Sequence, residues 1–297
     1  PDDKANIVIA FKNINYIYYY MIIWLASYPK SGNTWLRLFL ESLIFNEEIL
    51  DINNIKISQF PQKHHFEGLI KNFDNLEEVS KNYINAQSKI NLDNKIKFFK
   101  THSAYWKAYN TRFTDEENTL GVINIVRDPR NIITSVLNHF SKKNYSEAYK
   151  FMKNSAQQIW DEKNNDDRFM TIISSWSNHY NSWKKFKKNN LLVHYEKLLN
   201  DPIEEFNKIC NFLNKIANFN FEKSKILKAI EKCNFNNLQK IENESGFVEA
   251  PLDISGSKKK FFNLGPQNDW RKILDKKTLN LIENSFEIEM KELGYLD

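Results

Sequence analysis

Four short apolar runs, separated by stretches with helical periodicity, constrain the fold of this 297-residue chain more than any other feature. The runs are rich in β-branched and aromatic residues and predict buried strands at 21–26, 95–101, 122–127 and 191–195. Helices are predicted at 33–45, 131–140, 171–187, 203–213, 222–233 and 277–292. Strands that alternate with helices predict a three-layer α/β fold, in which helices flank a central parallel sheet.

No repeat or linker divides the chain, so we expect a single domain over residues 21–297. Residues 1–20 precede the first strand and are predicted to be a non-essential extension. Met21 is then a natural start, and a chain that begins there is expected to fold and work. The apolar run 16–26 holds eleven residues, too few for the roughly 20 that span a bilayer, and we expect no membrane insertion.

Charge and cysteine content narrow the range of functions. The net charge of +5 suits an anionic small molecule, and it is too weak to argue for nucleic acid. Cys210 and Cys233 form no CxxC pair and lie near no ligand-spaced His, so reduced thiols in a cytoplasmic protein are expected, with no metal.

Ligands of parallel α/β sheets bind where strands end and helices begin, which makes these junctions the candidate sites. Two polar, aromatic stretches, 50–94 and 141–169, have poor periodicity. For each, an acceptor-binding lid and a surface insertion remain equally open. His64 and His65, in the first stretch, hint at a pocket.

The first junction reads Ser-Tyr-Pro-Lys-Ser-Gly-Asn-Thr-Trp over residues 27–35. A strand, a tight glycine loop and a helix start form an anion cradle, because the first helical N–H groups lack partners. Gly32 permits a positive φ, and Lys30 adds a full charge. Lys30 precedes the glycine, so the loop is not a Walker A sequence. An ordinary turn with a surface lysine is the alternative.

This loop resembles the 5′-phosphosulfate loop of the sulfotransferases that use 3′-phosphoadenosine-5′-phosphosulfate (PAPS), whose usual form is YPKSGTTW. The one departure is Asn33. The resemblance implies a P-loop-like sulfotransferase fold, and it implies that six residues hold the 5′-phosphosulfate: Lys30, Ser31, Gly32, Asn33, Thr34 and Trp35.

The second junction, Lys100-Thr101-His102, resembles the family's catalytic signature. It implies that His102 is the general base and that Lys100 contacts the transferring group. With an ordinary pKa of about 6.5, a histidine is mostly neutral at pH 7 and accepts a proton. A lone His at a strand end is otherwise most often structural.

The segment VRDPRNIITSVLNHF resembles the family's 3′-phosphate element, which implies that Arg127 and Ser135 bind that phosphate. The arginine fork suits phosphate oxygens. Asp128 and Arg130 are interpreted as helix-start charges or a salt bridge. The segment Val-His-Tyr-Glu at 193–196, followed by Asn-Asp-Pro at 200–202, resembles the family's strand with a tyrosine near the nucleotide, which makes Tyr195 a further candidate contact. Glu196 and His194 are interpreted as structural.

The last family element, usually RKG followed by GDW, is altered. Gly265, and the Asp-Trp pair at 269–270, match it, but Asn263 and Leu264 replace the two cations. The run Lys258-Lys259-Lys260 is one candidate for the missing charge, and a solvated surface is the other.

Together these elements predict transfer of a sulfuryl group from PAPS to an acceptor hydroxyl or amine, with Lys30, Lys100 and His102 as catalytic residues and no metal. The expected acceptor is a small molecule or glycan, and a homodimer is left open. A P-loop small-molecule kinase and an inactive nucleotide-binding module are the two alternatives.

Overall fold

The computed structural model describes residues 21–45, 50–159, 170–253 and 255–297. The elements in chain order are β1 Ile22–Ser27, α1 Asn33–Phe45, α2 Leu76–Lys81, α3 Tyr83–Asn91, β2 Lys97–Thr101, β3 Lys107–Ala108, β4 Thr111–Arg112, β5 Thr119–Val126, α4 Pro129–His139, α5 Tyr145–Lys153, β6 Gln158–Ile159, β7 Thr171–Ile172, α6 Trp176–Lys184, β8 Asn190–His194, α7 Tyr195–Asn200, α8 Pro202–Ala217, α9 Lys223–Lys232, α10 Phe235–Ser245, α11 Trp270–Ile273 and α12 Lys276–Glu292. Single 3-10 turns lie at Lys63–Phe66 and Gly265–Gln267.

The central sheet has four parallel strands in the order β2-β1-β5-β8, which confirms the predicted fold class. Helices cover both faces. On β1, Ile23 and Leu25 pack into one buried cluster, and Trp24 packs into another on the opposite face. The chain leaves β1 for β2 on one side and returns to β5 on the other. A crevice forms at such a switch point, outside the carboxyl ends of the strands.

The four predicted strands and α1 are confirmed, with small shifts at the strand ends. The predicted helix 171–187 is too long, because Thr171–Ile172 pairs with Gln158–Ile159 as a short antiparallel strand. Ser174 then has a φ of 60°, and Ser175 caps the helix by accepting the N–H of Asn178. The helix proper starts only at Trp176.

Helices were missed in both stretches with poor periodicity. In α3 the buried side includes Gln87 and Asn91, whose amides donate to the carbonyls of Phe113 and Asn118. A polar residue with a buried partner breaks the apolar pattern without breaking the helix. The poor periodicity of 50–94 and 141–169 therefore does not exclude helices, and α2, α3 and α5 lie within these stretches.

Some expectations fall outside the described residues. The extension 1–20 and residues 160–169 are among them, so the proposed division at Met21 stays a prediction. Across the described ranges, no helix combines the length and apolarity needed to cross a membrane.

Candidate active site

A cavity of about 1010 Å³ lies at the carboxyl edge of the sheet. Its lining comes from the ends of β1, β2 and β5, from the start of α7, and from the chain between α10 and α11. Of the predicted site residues only Ser31, which is fully buried, does not line it. The others all do: Lys30, Gly32, Asn33, Thr34, Trp35, Lys100, His102, Arg127, Ser135, Tyr195 and Gly265.

The loop between β1 and α1 is packed too closely for any residue but glycine at position 32. Gly32 has a φ of 101°, and a Cβ atom there would lie 2.5 Å from Cδ2 of Tyr195. The same Tyr195 ring stacks under the guanidinium of Arg127, 4.1 Å away. Arg127 Nη1 donates to the carbonyl oxygen of Lys30 at 3.0 Å. The phosphate-loop and 3′-phosphate elements therefore form one structure around Tyr195.

Several buried polar atoms of this structure have no hydrogen-bond partner among the described residues: Ser31 Oγ, Asn33 Oδ1, Trp35 Nε1 and Arg127 Nε. Buried polar atoms in proteins almost always have partners, so a cluster of orphans calls for a ligand or water. The arginine and indole nitrogens are donors, which fits an anionic nucleotide.

The side-chain amide of Asn33 donates its hydrogen bonds to β1. Its amide Nδ2 donates to the carbonyl of Leu25 at 2.8 Å and to Ser27 Oγ at 3.1 Å. The side-chain donors are thus committed to shaping the loop. What Asn33 offers the cavity is a backbone N–H of the first helical turn, where intrahelical partners are lacking.

The contact of His102 with the backbone defines its tautomer. Its Nδ1 lies 2.9 Å from the backbone carbonyl of Ser27, and since a carbonyl can only accept, Nδ1 must carry the proton. Nε2 then holds the free lone pair. Burial, with the charge of Lys100 as a smaller cause, lowers the pKa of His102 well below 6.5 and keeps it neutral at pH 7.

Two lysines share the cavity wall with His102. Lys30 Nζ lies 3.4 Å from Nδ1 of His139 and 4.2 Å from the ring centre of Phe261. Burial, Lys100 and Arg127 lower the pKa of Lys30 to about 7. Lys100 Nζ lies 3.3 Å from a carboxylate oxygen of Glu249.

Ser135 lies on α4 and lines the cavity. The amide of Asn268 lies 3.4 Å from Ser135 Oγ and donates to the carbonyl of Asn131 at 2.9 Å. Thr134 Oγ1 donates back to Asn268 Oδ1 at 2.7 Å. The last family element therefore joins the site through Asn268, which sequence reasoning did not single out.

The lysine run at 258–260 does not line the cavity. Lys258 Nζ lies 3.4 Å from the carbonyl of Phe247, and Lys259 Nζ lies 3.2 Å from that of Asn138. Asn263 and Leu264 do line it, without a charge. Asn138 itself lines the cavity, so the replacement of the missing cations by these lysines stays a prediction.

Asp128, Arg130 and Glu196, which were interpreted as structural, make contacts within the protein. Asp128 caps α4 and forms an ion pair with Arg130 at 2.8 Å. Glu196 accepts the backbone N–H of Asp128 at 2.9 Å and the hydroxyl of Tyr295 at 3.0 Å.

Sequence reasoning missed His139, Glu249 and Phe235 in the lining. His139 follows Ser135 by four residues, so helical spacing predicts that the two share a face. Glu249 lies in irregular chain where no periodic signal exists. No group of three or more metal-ligating side chains was found across the described ranges.

The chain matches the family model described as the sulfotransferase domain over residues 22–294. It is 24% identical to a flavonol 3-sulfotransferase of Flaveria bidentis, over 92% of this chain and 82% of that one. It is 26% identical to sulfotransferase 1B1 of Canis lupus familiaris, over 83% and 76%.

Solved structures share the fold. A mouse sulfotransferase complexed with PAP aligns with a TM-score of 0.55 and 18% identity, over 91% of this chain and 84% of that one. Retinol dehydratase complexed with retinol and PAP aligns with a TM-score of 0.56 and 16% identity, over 91% and 81%. A domain match across nearly the whole chain, with the fold and loop described above, makes this protein a member of the sulfotransferase family.

Proposed function

We propose that this protein transfers a sulfuryl group from PAPS to a hydroxyl or amine of a small-molecule or glycan acceptor. One observation carries the proposal: a single cavity brings Lys30, Lys100 and His102 together with Arg127 and Ser135. The first three suit a reaction centre, and the last two suit a second phosphate. Structural neighbours solved with PAP, the desulfated donor, support this reading.

The reaction is an in-line displacement at sulfur. The acceptor oxygen or nitrogen forms a bond to sulfur while the bond from sulfur to the 5′-phosphate oxygen breaks, and PAP leaves. Negative charge grows on the leaving oxygen, so preplaced cations lower the barrier. We assign Lys30 to the leaving phosphate and Lys100 to the sulfuryl oxygens.

We assign His102 as the general base. Its Nε2 takes the acceptor proton, while the Nδ1 bond to Ser27 fixes the tautomer and the ring. We assign the 3′-phosphate to Arg127 and Ser135, with Trp35, Tyr195 and Gly265 along the nucleotide. We assign the backbone N–H groups of Gly32, Asn33 and Thr34 to the 5′-phosphosulfate, together with the Ser31 hydroxyl, which is buried and has no partner among the described residues.

The test is nucleotide binding followed by turnover. PAP should raise the melting temperature and bind in calorimetry, whereas ATP with Mg²⁺ should not, which separates this proposal from a P-loop kinase. An acceptor screen with labelled PAPS should then yield a sulfated product. Folded protein with no affinity for PAP would refute the proposal.

An inactive nucleotide-binding module is the second candidate, and the uncharged Asn263 and Leu264 favour it. It predicts PAP binding without consumption of PAPS by any acceptor.

Two further inferences accompany the main proposal. Cys210 and Cys233 are both free and buried, as expected for a cytoplasmic protein. A homodimer stays a prediction, which analytical ultracentrifugation would check.

A further inference from the structure

Building on the proposed function, we propose that Glu249 is a positioning residue for the transfer. Anchored by Arg37, its carboxylate holds the Lys100 ammonium at the wall of the cavity where the sulfuryl group is received. Glu249 acts through Lys100 and does not itself contact the reacting atoms.

The geometry is a bridged ion triad. Glu249 Oε1 lies 2.6 Å from Nη2 of Arg37, and Oε2 lies 3.3 Å from Nζ of Lys100. The side chains are 20%, 3% and 7% exposed for Glu249, Arg37 and Lys100, so water screens these pairs weakly. The two oxygens of one carboxylate thus tie α1, which follows the phosphate loop, to the end of β2.

Glu249 is the one acidic side chain among the described residues that line the cavity, whereas Lys30, Lys100 and Arg127 are cationic. Like charges in a partly buried wall repel: after burial, which is the main cause, Lys100 and Arg127 lower the pKa of Lys30, whereas Glu249 raises it. Since Arg37, Lys100 and Glu249 together carry a formal charge of +1, the wall still attracts an anionic donor.

Position matters as much as charge. Lysine carries its charge on a flexible four-carbon stem and does not fix its own direction. Glu249 is itself held in place by its ion pair with the buried Arg37, and the chain is packed at Ala250, which follows it, and at Phe247, two residues before it. The segment between α10 and α11, which lines the cavity, therefore supplies the carboxylate that orients the Lys100 side chain.

The first test uses ligand-free protein and lysine labelling with acetic anhydride, read by mass spectrometry. In the Glu249→Gln variant the amine of Lys100 should be acetylated faster than in the wild type, because the ion pair with Glu249 shields that amine from the reagent. Glu244→Gln is the matched control: it removes the same charge from an exposed pair with Lys240 and should leave Lys100 unchanged. Unaltered labelling of Lys100 in Glu249→Gln would overturn the inference, and because no nucleotide is involved, that failure is separate from failure of the proposed function.

The second test is turnover. A misplacement of about 1 Å near a reacting centre costs about 10²-fold, so Glu249→Gln should lose kcat by about that factor with a smaller change in the KM for PAPS. The double variant with Lys100→Met should be no slower than Lys100→Met alone, because both changes break the same Glu249–Lys100 pair. Additive losses would refute action through Lys100. If Glu249→Gln does not fold, Glu249→Asp keeps the charge but shortens the reach, and full kcat in that variant would also refute it.

Discussion

The charge of Lys30 gives the sharpest prediction, because its pKa lies within the ordinary working range of pH. Burial and the cations Lys100 and Arg127 lower that pKa to about 7, while Glu249 and Glu242 raise it in part. His139, whose pKa is lowered to about 2 by burial and by Lys30, stays neutral and accepts a hydrogen bond from the ammonium. Lys30 should therefore lose its proton as the pH rises through neutrality.

The expected effect on PAP affinity follows from this pKa. With a pKa of about 7, the protonated fraction of Lys30 falls from about 0.9 at pH 6 to about 0.09 at pH 8. If only the charged amine binds the 5′-phosphate, the association constant of PAP falls by about tenfold over that interval. The sign is a loss of affinity on raising the pH.

The assay is calorimetric titration of PAP at several pH values, with Lys30→Arg as the matched control. A guanidinium stays charged throughout, and the phosphates of PAP titrate identically in both experiments. The ratio of wild-type to variant affinity therefore isolates Lys30. A ratio that stays constant from pH 6 to pH 8 would show that Lys30 keeps its proton or does not touch the nucleotide.

Three substitutions test the rest of the site. His102→Ala should lower kcat by about 10²–10⁴-fold and leave PAP affinity intact, and near-normal turnover would mean that another group is the base. Gly32→Ala adds a Cβ 2.5 Å from the Tyr195 ring, whereas in the control Gly246→Ala, where φ is 71°, nothing lies within 4 Å of the added atom. Gly32→Ala should therefore lower the free energy of unfolding by about 1–3 kcal/mol more than the control does. Equal melting temperatures for the two variants would refute the clash. Replacing all three lysines at 258–260 by Ala should leave the PAP dissociation constant unchanged, since none lines the cavity, and a tenfold weaker constant would show that the run closes onto the nucleotide.

The sequence by itself determined the sheet, the donor loop and the order of the site elements. These are local properties: an apolar run indicates a buried strand, and a glycine between strand and helix indicates a tight turn. Helix α1 was predicted with its observed bounds, and nearly all predicted site residues line one cavity. The family resemblance assigned roles that periodicity alone could not.

Only the tertiary structure decided which distant residues complete the site. Glu249 is 149 positions from Lys100 and 212 from Arg37, and it lies in irregular chain that carries no periodic signal. The side-chain donors of Asn33 turned out to be committed to β1, and the ammonium of Lys259 to Asn138 and Ser141 in the cavity wall. The physical reason is the same in each case. A local pattern reports backbone conformation and the buried face, whereas the partner of a charge or an amide is chosen by how separate segments pack.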